Sequence, residues 1–211
     1  LAKLSFIIYF SFLARKIKDK KSWLLFFGLL GLFVGLVLMQ PDLGTALVIG
    51  VVGVSMYFIS GAPLKHFAIL VPLVAVAGLS FIMISPYRRA RLFTFVNPQA
   101  SQSLEEGYHT NQALIAIGSG GFFGLGPGKS RQKYAYLPEV TADSIFAVLC
   151  EEFGYIGALI YLGALGFLIY TGFHIAIKAR DLELKLLASG VIFWLASQSA
   201  LNIGAITGIL P

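Results

Sequence analysis

The chain has 211 residues, 57% hydrophobic and 12% charged, with a formal net charge of +6 and a mean hydropathy of +0.83. That balance excludes an ordinary soluble domain and predicts an all-α fold, a polytopic transmembrane helix bundle. In such a protein the excess positive charge reads as orientation signals and membrane-lipid contacts rather than nucleic-acid binding. The single Cys150 leaves no intramolecular disulfide to form.

The first apolar run, Leu1 to Leu13, is too short to span alone and lacks the basic start and small-residue cleavage site of a signal peptide. The chain starts without a Met and stops at Pro211 after a Gly-rich stretch, so a piece truncated at both ends is expected. Arg15, Lys16, Lys18, Lys20 and Lys21 crowd one short loop, which the positive-inside rule assigns to the cytoplasm. Spans are then expected at Trp23–Met39, at Thr45–Ile59 and at Phe67–Ile84. Pro41 turns the chain after the first of these, and Asp42 is either the cap of the next helix or part of an outer polar site. Two more spans are expected, one from about Asp143 to Thr171 and one at Leu186–Leu201, joined by a cytoplasmic loop carrying Lys178, Arg180 and Lys185.

Between Ser85 and Ser144 lies a long outer segment that holds six of the sixteen basic residues: Arg88, Arg89, Arg91, Lys129, Arg131 and Lys133. Its length and its retained apolar residues mark it as the functional loop of a single membrane domain covering 1–211. Within it, Gly107–Gly121 predicts a short amphipathic helix ended by glycines. The following Gly-rich turn carries Lys129, Arg131 and Lys133 at alternate positions, which suits either an anion cradle or contact with anionic headgroups. The spacing of GPGKS is not that of a nucleotide-binding loop. Arg88, Arg89 and Arg91 follow a span end, where interfacial anchoring competes with a binding role.

Asp143 stands where the next helix begins and fits either general-base chemistry or helix capping. Glu151 and Glu152 lie deeper in the same apolar run, as functional carboxylates or as a buried hydrogen-bonded pair, with one facing the protein interior. His66 and His174 sit at helix ends, and His109 lies in the outer loop; no Cys/His cluster points to zinc.

The stretches QPDLGTALVI (40–49), PYRRARLFTFVNP (86–98), GYHTNQALIAIGSGGFFGLGPGKSRQKYAYLPE (107–139) and ADSIFAVLCEEFGYIG (142–157) resemble the SEDS family of bacterial shape, elongation, division and sporulation proteins. The likeness runs over essentially the whole chain and is closer to the FtsW-like than to the RodA-like branch. It implies a ten-helix multi-pass protein of the bacterial cytoplasmic membrane that polymerises peptidoglycan glycan strands from lipid II. It also implies a class B penicillin-binding protein transpeptidase as partner, together with other division or elongation machinery. The family's essential loop acid matches Asp143. Where the family often has His-Thr-Asp, this chain has Thr141-Ala142-Asp143, so no role passes to that His.

The substrate-binding set expected from this resemblance is Arg88, Arg89, Arg91, Lys129, Arg131, Lys133, Gln112 and Glu139. No organic cofactor is implied, and a divalent cation, magnesium or manganese, is the candidate helper on the diphosphate. The rival reading is a lipid II flippase, with Glu151, Glu152 and Asp42 lining a polar path. Gly50, Gly53, Gly154 and Gly157 are expected to permit close helix contact.

Overall fold

The computed structural model describes residues 2–16, 22–40, 42–63, 65–66, 68, 83, 105–130 and 144–210, the side chains of 14–16, 22–23 and 105–110 excepted. Every regular element among them is helical: α1 (Ala2–Lys16), α2 (Ser22–Met39), α3 (Leu43–Ile59), α4 (Glu105–Ser119), α5 (Ile145–Lys178) and α6 (Leu182–Ile206). Helices are what such apolar runs must form in lipid, because each backbone amide then finds its partner inside its own segment. The span expected at 67–84 lies outside the described residues apart from Ala68 and Met83.

The chain divides into two compact units, residues 1–69 with 166–200, and residues 70–165 with 201–211. In the first, α1, α2 and α3 pack through an aromatic series. Phe6 lies over Phe10 at 4.1 Å between centroids, Phe10 meets Phe26 edge-on at 4.6 Å, and Phe26 tilts against Tyr57 at 4.8 Å. Gly53 gives room for Leu30 and Phe6, since a side chain there would overlap them. Gly50 faces open space, so only one of these two expected contact glycines serves packing here.

Side-chain hydrogen bonds set one helix end in this unit and tie others of its residues together. The Asp42 Oδ1 accepts from the Thr45 backbone N–H at 2.9 Å, so the capping alternative for Asp42 is realised. Beyond α3, the Tyr57 hydroxyl and His66 Nδ1 are 2.6 Å apart, which gives this histidine a local partner. On α6, Gln198 Oε1 accepts from both Lys3 Nζ at 3.0 Å and Trp194 Nε1 at 2.7 Å.

In the second unit, α4 matches the amphipathic helix expected at 107–121. It buries Ala113 and Ala116 against Phe146, Ala147, Val148 and Cys150 of α5 and Ile206 of α6. Small residues on α4 let it lie close to α5, while Leu114 and Ile115 remain exposed. The last two helices exceed their expected lengths. Glu183, Lys185 and Asn202 extend α6 beyond the apolar core of 186–201, because helix-compatible polar residues lengthen a helix without raising its hydropathy. α5 differs more: it is broken at Gly154, where φ is 65° and ψ is −161°.

Candidate functional site

The break in α5 is where the Gly-rich turn at 120–130 meets the helix. In an unbroken α-helix the Glu151 and Glu152 carbonyls would accept from Tyr155 and Ile156. Here they accept instead from the Leu125 and Gly126 amides, at 2.9 and 3.0 Å. The released Tyr155 and Ile156 amides donate to the Gly121 and Phe122 carbonyls, at 2.9 and 3.3 Å. The turn thus supplies two donors and two acceptors, the number the break leaves open. Each such group left bare in hydrocarbon would cost several kcal/mol, so turn and break require each other.

Two glycines make the docking possible. Gly154 holds a left-handed φ, and a β-carbon there would strike the Phe122 carbonyl and the Gly124 amide nitrogen. Gly124 has φ 80°, and a β-carbon there would overlap the Glu152 carbonyl. Both therefore need a residue without a side chain, for conformation and for space. Gly154 is a backbone-break residue rather than the helix-contact glycine expected from its spacing, and a side chain at Gly157 would meet Phe153 of its own helix.

The carboxylates beside the break divide as their angular offset on a helix implies. Glu151 is 1% exposed, and its Oε2 accepts from the Ser130 hydroxyl at 2.5 Å. Ser130 is itself buried, at the end of the turn. Glu152 is half-buried, and its Oε1 lies in the interior with no hydrogen-bond partner. Such an atom is energetically costly and marks a strained or functional position. Among the described residues, no three His, Cys, Asp or Glu side chains converge as a metal site would need.

Of the expected site residues, Lys129 is exposed at the end of the turn, directly before Ser130, and Gln112 is half-buried on α4 beside the buried Ala113. Arg88, Arg89, Arg91, Arg131, Lys133, Glu139 and Asp143 lie outside the described residues, as does Thr141. Arg131 follows Ser130 in the chain, and Asp143 precedes the buried Ser144 that leads into α5. Sequence reasoning missed Ser130, whose type carries no signal in a Ser- and Gly-rich turn. It also missed the break, whose only trace is one glycine among several in α5.

The relationship to known proteins follows the same segments. A model of the FtsW/RodA/SpoVE cell cycle protein family matches residues 1–211. The chain is 40% identical over 221 residues to a Saccharophagus degradans protein named "Probable peptidoglycan glycosyltransferase FtsW", covering 100% of this chain and 56% of that one. It is also 40% identical over 177 residues to Stage V sporulation protein E of Bacillus subtilis, covering 83% of this chain and 48% of that one. A solved structure described as "Structural coordination of polymerization and crosslinking by a peptidoglycan synthase complex" aligns with a TM-score of 0.71 and 27% identity, over 99% of this chain and 59% of that chain. The chain spans about half the length of the curated relatives it matches. α5 and α6 are long and apolar enough to cross a bilayer. A membrane protein whose regular elements are helical among the described residues, the chain belongs to the FtsW/RodA/SpoVE family of cell cycle proteins.

Proposed function

We propose that this chain is the core of a peptidoglycan glycosyltransferase that polymerises glycan strands from lipid II during bacterial division or cell-shape maintenance. The observation that carries the reading is the roughly 40% identity, along most or all of the chain, to proteins named for that activity. The geometry supports the chemistry of the reading: a Gly-rich turn carrying Lys129 is anchored in an apolar helix whose first turn follows Asp143 in the chain. Lipid II keeps its tail in the bilayer while its sugars react outside, so its diphosphate needs cations held at the level where loop meets helix.

In this mechanism Asp143 takes the proton from the acceptor sugar hydroxyl. The hydroxyl oxygen bonds to the anomeric carbon of the donor as the bond from that carbon to the lipid diphosphate breaks. Arg88, Arg89, Arg91, Lys129, Arg131 and Lys133 hold the departing negative charge, and Gln112 and Glu139 contact the sugars. A divalent cation, magnesium or manganese, would share the diphosphate charge; EDTA followed by re-addition of each ion tests that part. The whole protein is taken as a ten-helix, multi-pass protein of the bacterial cytoplasmic membrane, working with a class B penicillin-binding protein transpeptidase.

The deciding experiment is polymerisation of labelled lipid II by the purified full-length protein and its Asp143→Asn variant. Asn caps a helix about as well as Asp but is no base. Activity should fall by about 10²-fold or more, with fold and lipid II binding retained. Wild-type polymerisation by the Asn variant would leave Asp143 a cap and end the mechanism.

A lipid II flippase is the second reading, favoured by one observation: a discontinuous helix carrying two carboxylates, one buried, is an arrangement transporters use. Reconstituted vesicles separate the two. Lipid II translocation that fails in Glu151 or Glu152 variants while polymerisation persists would select the flippase.

A further inference from the structure

The geometry points to Ser130 and Glu151 as positioning residues that hold the basic segment of the outer loop in register with the start of α5, an inference that rests on the polymerase reading. Glu151 is the deepest acid in α5, at 1% exposure, and Ser130 is 2% exposed. Among the described residues, their 2.5 Å bond fastens the chain within the basic run that begins at Lys129. The four backbone bonds between turn and break fix residues 121–126 on α5. Between those bonds and Lys129 lie only Pro127 and Gly128, with the Lys129 amide bonded back to the Gly126 carbonyl at 3.1 Å. The Ser130 anchor adds a side-chain fastening four residues beyond Gly126.

With Ser130 tied to Glu151, the backbone leaves the turn at a fixed point on α5, held by a residue seven positions beyond the Ser144 that opens the same half-helix. Residues on either side of the reaction would then be carried by one frame. The phosphate-facing cations would leave from one end of it, and the base would precede the other. Neither Ser130 nor Glu151 need touch substrate for this. Misplacing groups that act on a transition state by even about 1 Å can cost as much as 100-fold in rate.

The test uses the full-length protein in nanodiscs with labelled lipid II. Ser130→Thr and Ser130→Val differ by little more than a hydroxyl in one buried site, so overpacking affects both alike. The Val variant should lose about tenfold or more in kcat with KM within about threefold of wild type, and the Thr variant should stay within about threefold in both. Glu151→Gln, which keeps an acceptor oxygen, should resemble Thr. Combining Ser130→Val with Glu151→Leu should cost less than the sum of the two single losses, because both remove the bond they share. Equal kcat for Val and Thr per folded molecule, or additive losses in the double variant, would overturn the inference.

Hydrogen exchange of the peptide spanning 129–133 gives a readout apart from catalysis and should quicken in Val but not in Thr. Unchanged exchange in Val would overturn the inference while leaving the polymerase reading intact. A wild-type protein that holds the segment but makes no glycan would defeat the polymerase reading instead, and with it the catalytic purpose assigned to the bond.

Discussion

α5 and α6 follow one another in the chain, and both are long and apolar enough to cross a bilayer, yet they satisfy their polar groups in different ways. α6 keeps its hydroxyls local: Ser189 donates to the Leu186 carbonyl at 3.1 Å and Ser197 to the Phe193 carbonyl at 2.6 Å. Those bonds share carbonyls that already serve the helix ladder and leave it unbroken. The later half of α5 does the same, with Thr171 donating to Phe167 at 2.8 Å. Around Gly154 the helix instead gives the Glu151 and Glu152 carbonyls to another segment and takes two carbonyls from it through the Tyr155 and Ile156 amides, with the Glu151 carboxylate in the interior. A hydroxyl can be accommodated by one helix alone. A carboxylate beside a backbone break needs a second piece of chain, and that need is what draws a loop down onto the helix.

The contrast can be tested by substitutions in the full-length protein, followed by thermal denaturation in nanodiscs. Gly154→Ala should be the most damaging, by at least about 2 kcal/mol, since it adds left-handed strain to a clash with the turn backbone. An unshifted melting temperature would mean that the turn is not seated in the break.

Asp42→Ala calibrates what one ordinary helix-end bond contributes and should cost about 1 kcal/mol, with Asp42→Asn nearly neutral at pH 7. Burial acts to raise the Asp42 pKa, but the Thr45 side-chain and backbone hydrogen bonds, the Lys3 charge and the Gly44 amide outweigh it and hold the carboxyl below its ordinary value. Its contribution is therefore fully present above the unfolded pKa of about 3.9 and is lost as pH falls through the lower folded value. Asp42→Asn should flatten the acid limb of the stability profile, and an acid limb unchanged by Asn would contradict the assignment.

The smallest effects belong to positions that use only their own helix. Gly163→Ala, in the same helix as Gly154 but with nothing near its would-be β-carbon, should be neutral or stabilising by up to roughly 1 kcal/mol. Ser197→Ala should stay within about 0.5 kcal/mol. A Gly163→Ala variant as damaged as Gly154→Ala would erase the difference between the two halves of α5.

Most of the helical framework was legible because hydropathy, glycine punctuation and helix-end residues act within a few positions along the chain. The Asp42 cap of α3 and the amphipathic α4 with its glycine stop are examples. The interior placement of one acid in the Glu151–Glu152 pair was legible too, since neighbours on a helix must face different directions. The break was not. Hydropathy reports side chains, whereas the break exchanges backbone bonds between segments about 30 residues apart, and EEFGYIG reads the same whether Gly154 is helical or left-handed. For the same reason Ser130 carried no mark of its partner. Of the expected site, Lys129 and Gln112 lie among the described residues, and the base and the other cations stand on residue type and resemblance.

The docked turn also has a consequence for how the chain enters the bilayer during synthesis. Residues 121–126 leave the ribosome before Glu151–Ile156 do, so the acceptors and donors for the break exist before the helix that needs them. Until the two meet, the Tyr155 and Ile156 amides have to keep water or helical partners, and an inserting helix without the turn would favour running straight through Gly154. The break can form only once both segments are present, since its four bonds join residues 121–126 to residues 151–156. The Gly121–Gly126 stretch acts as the part that completes a membrane helix from outside it.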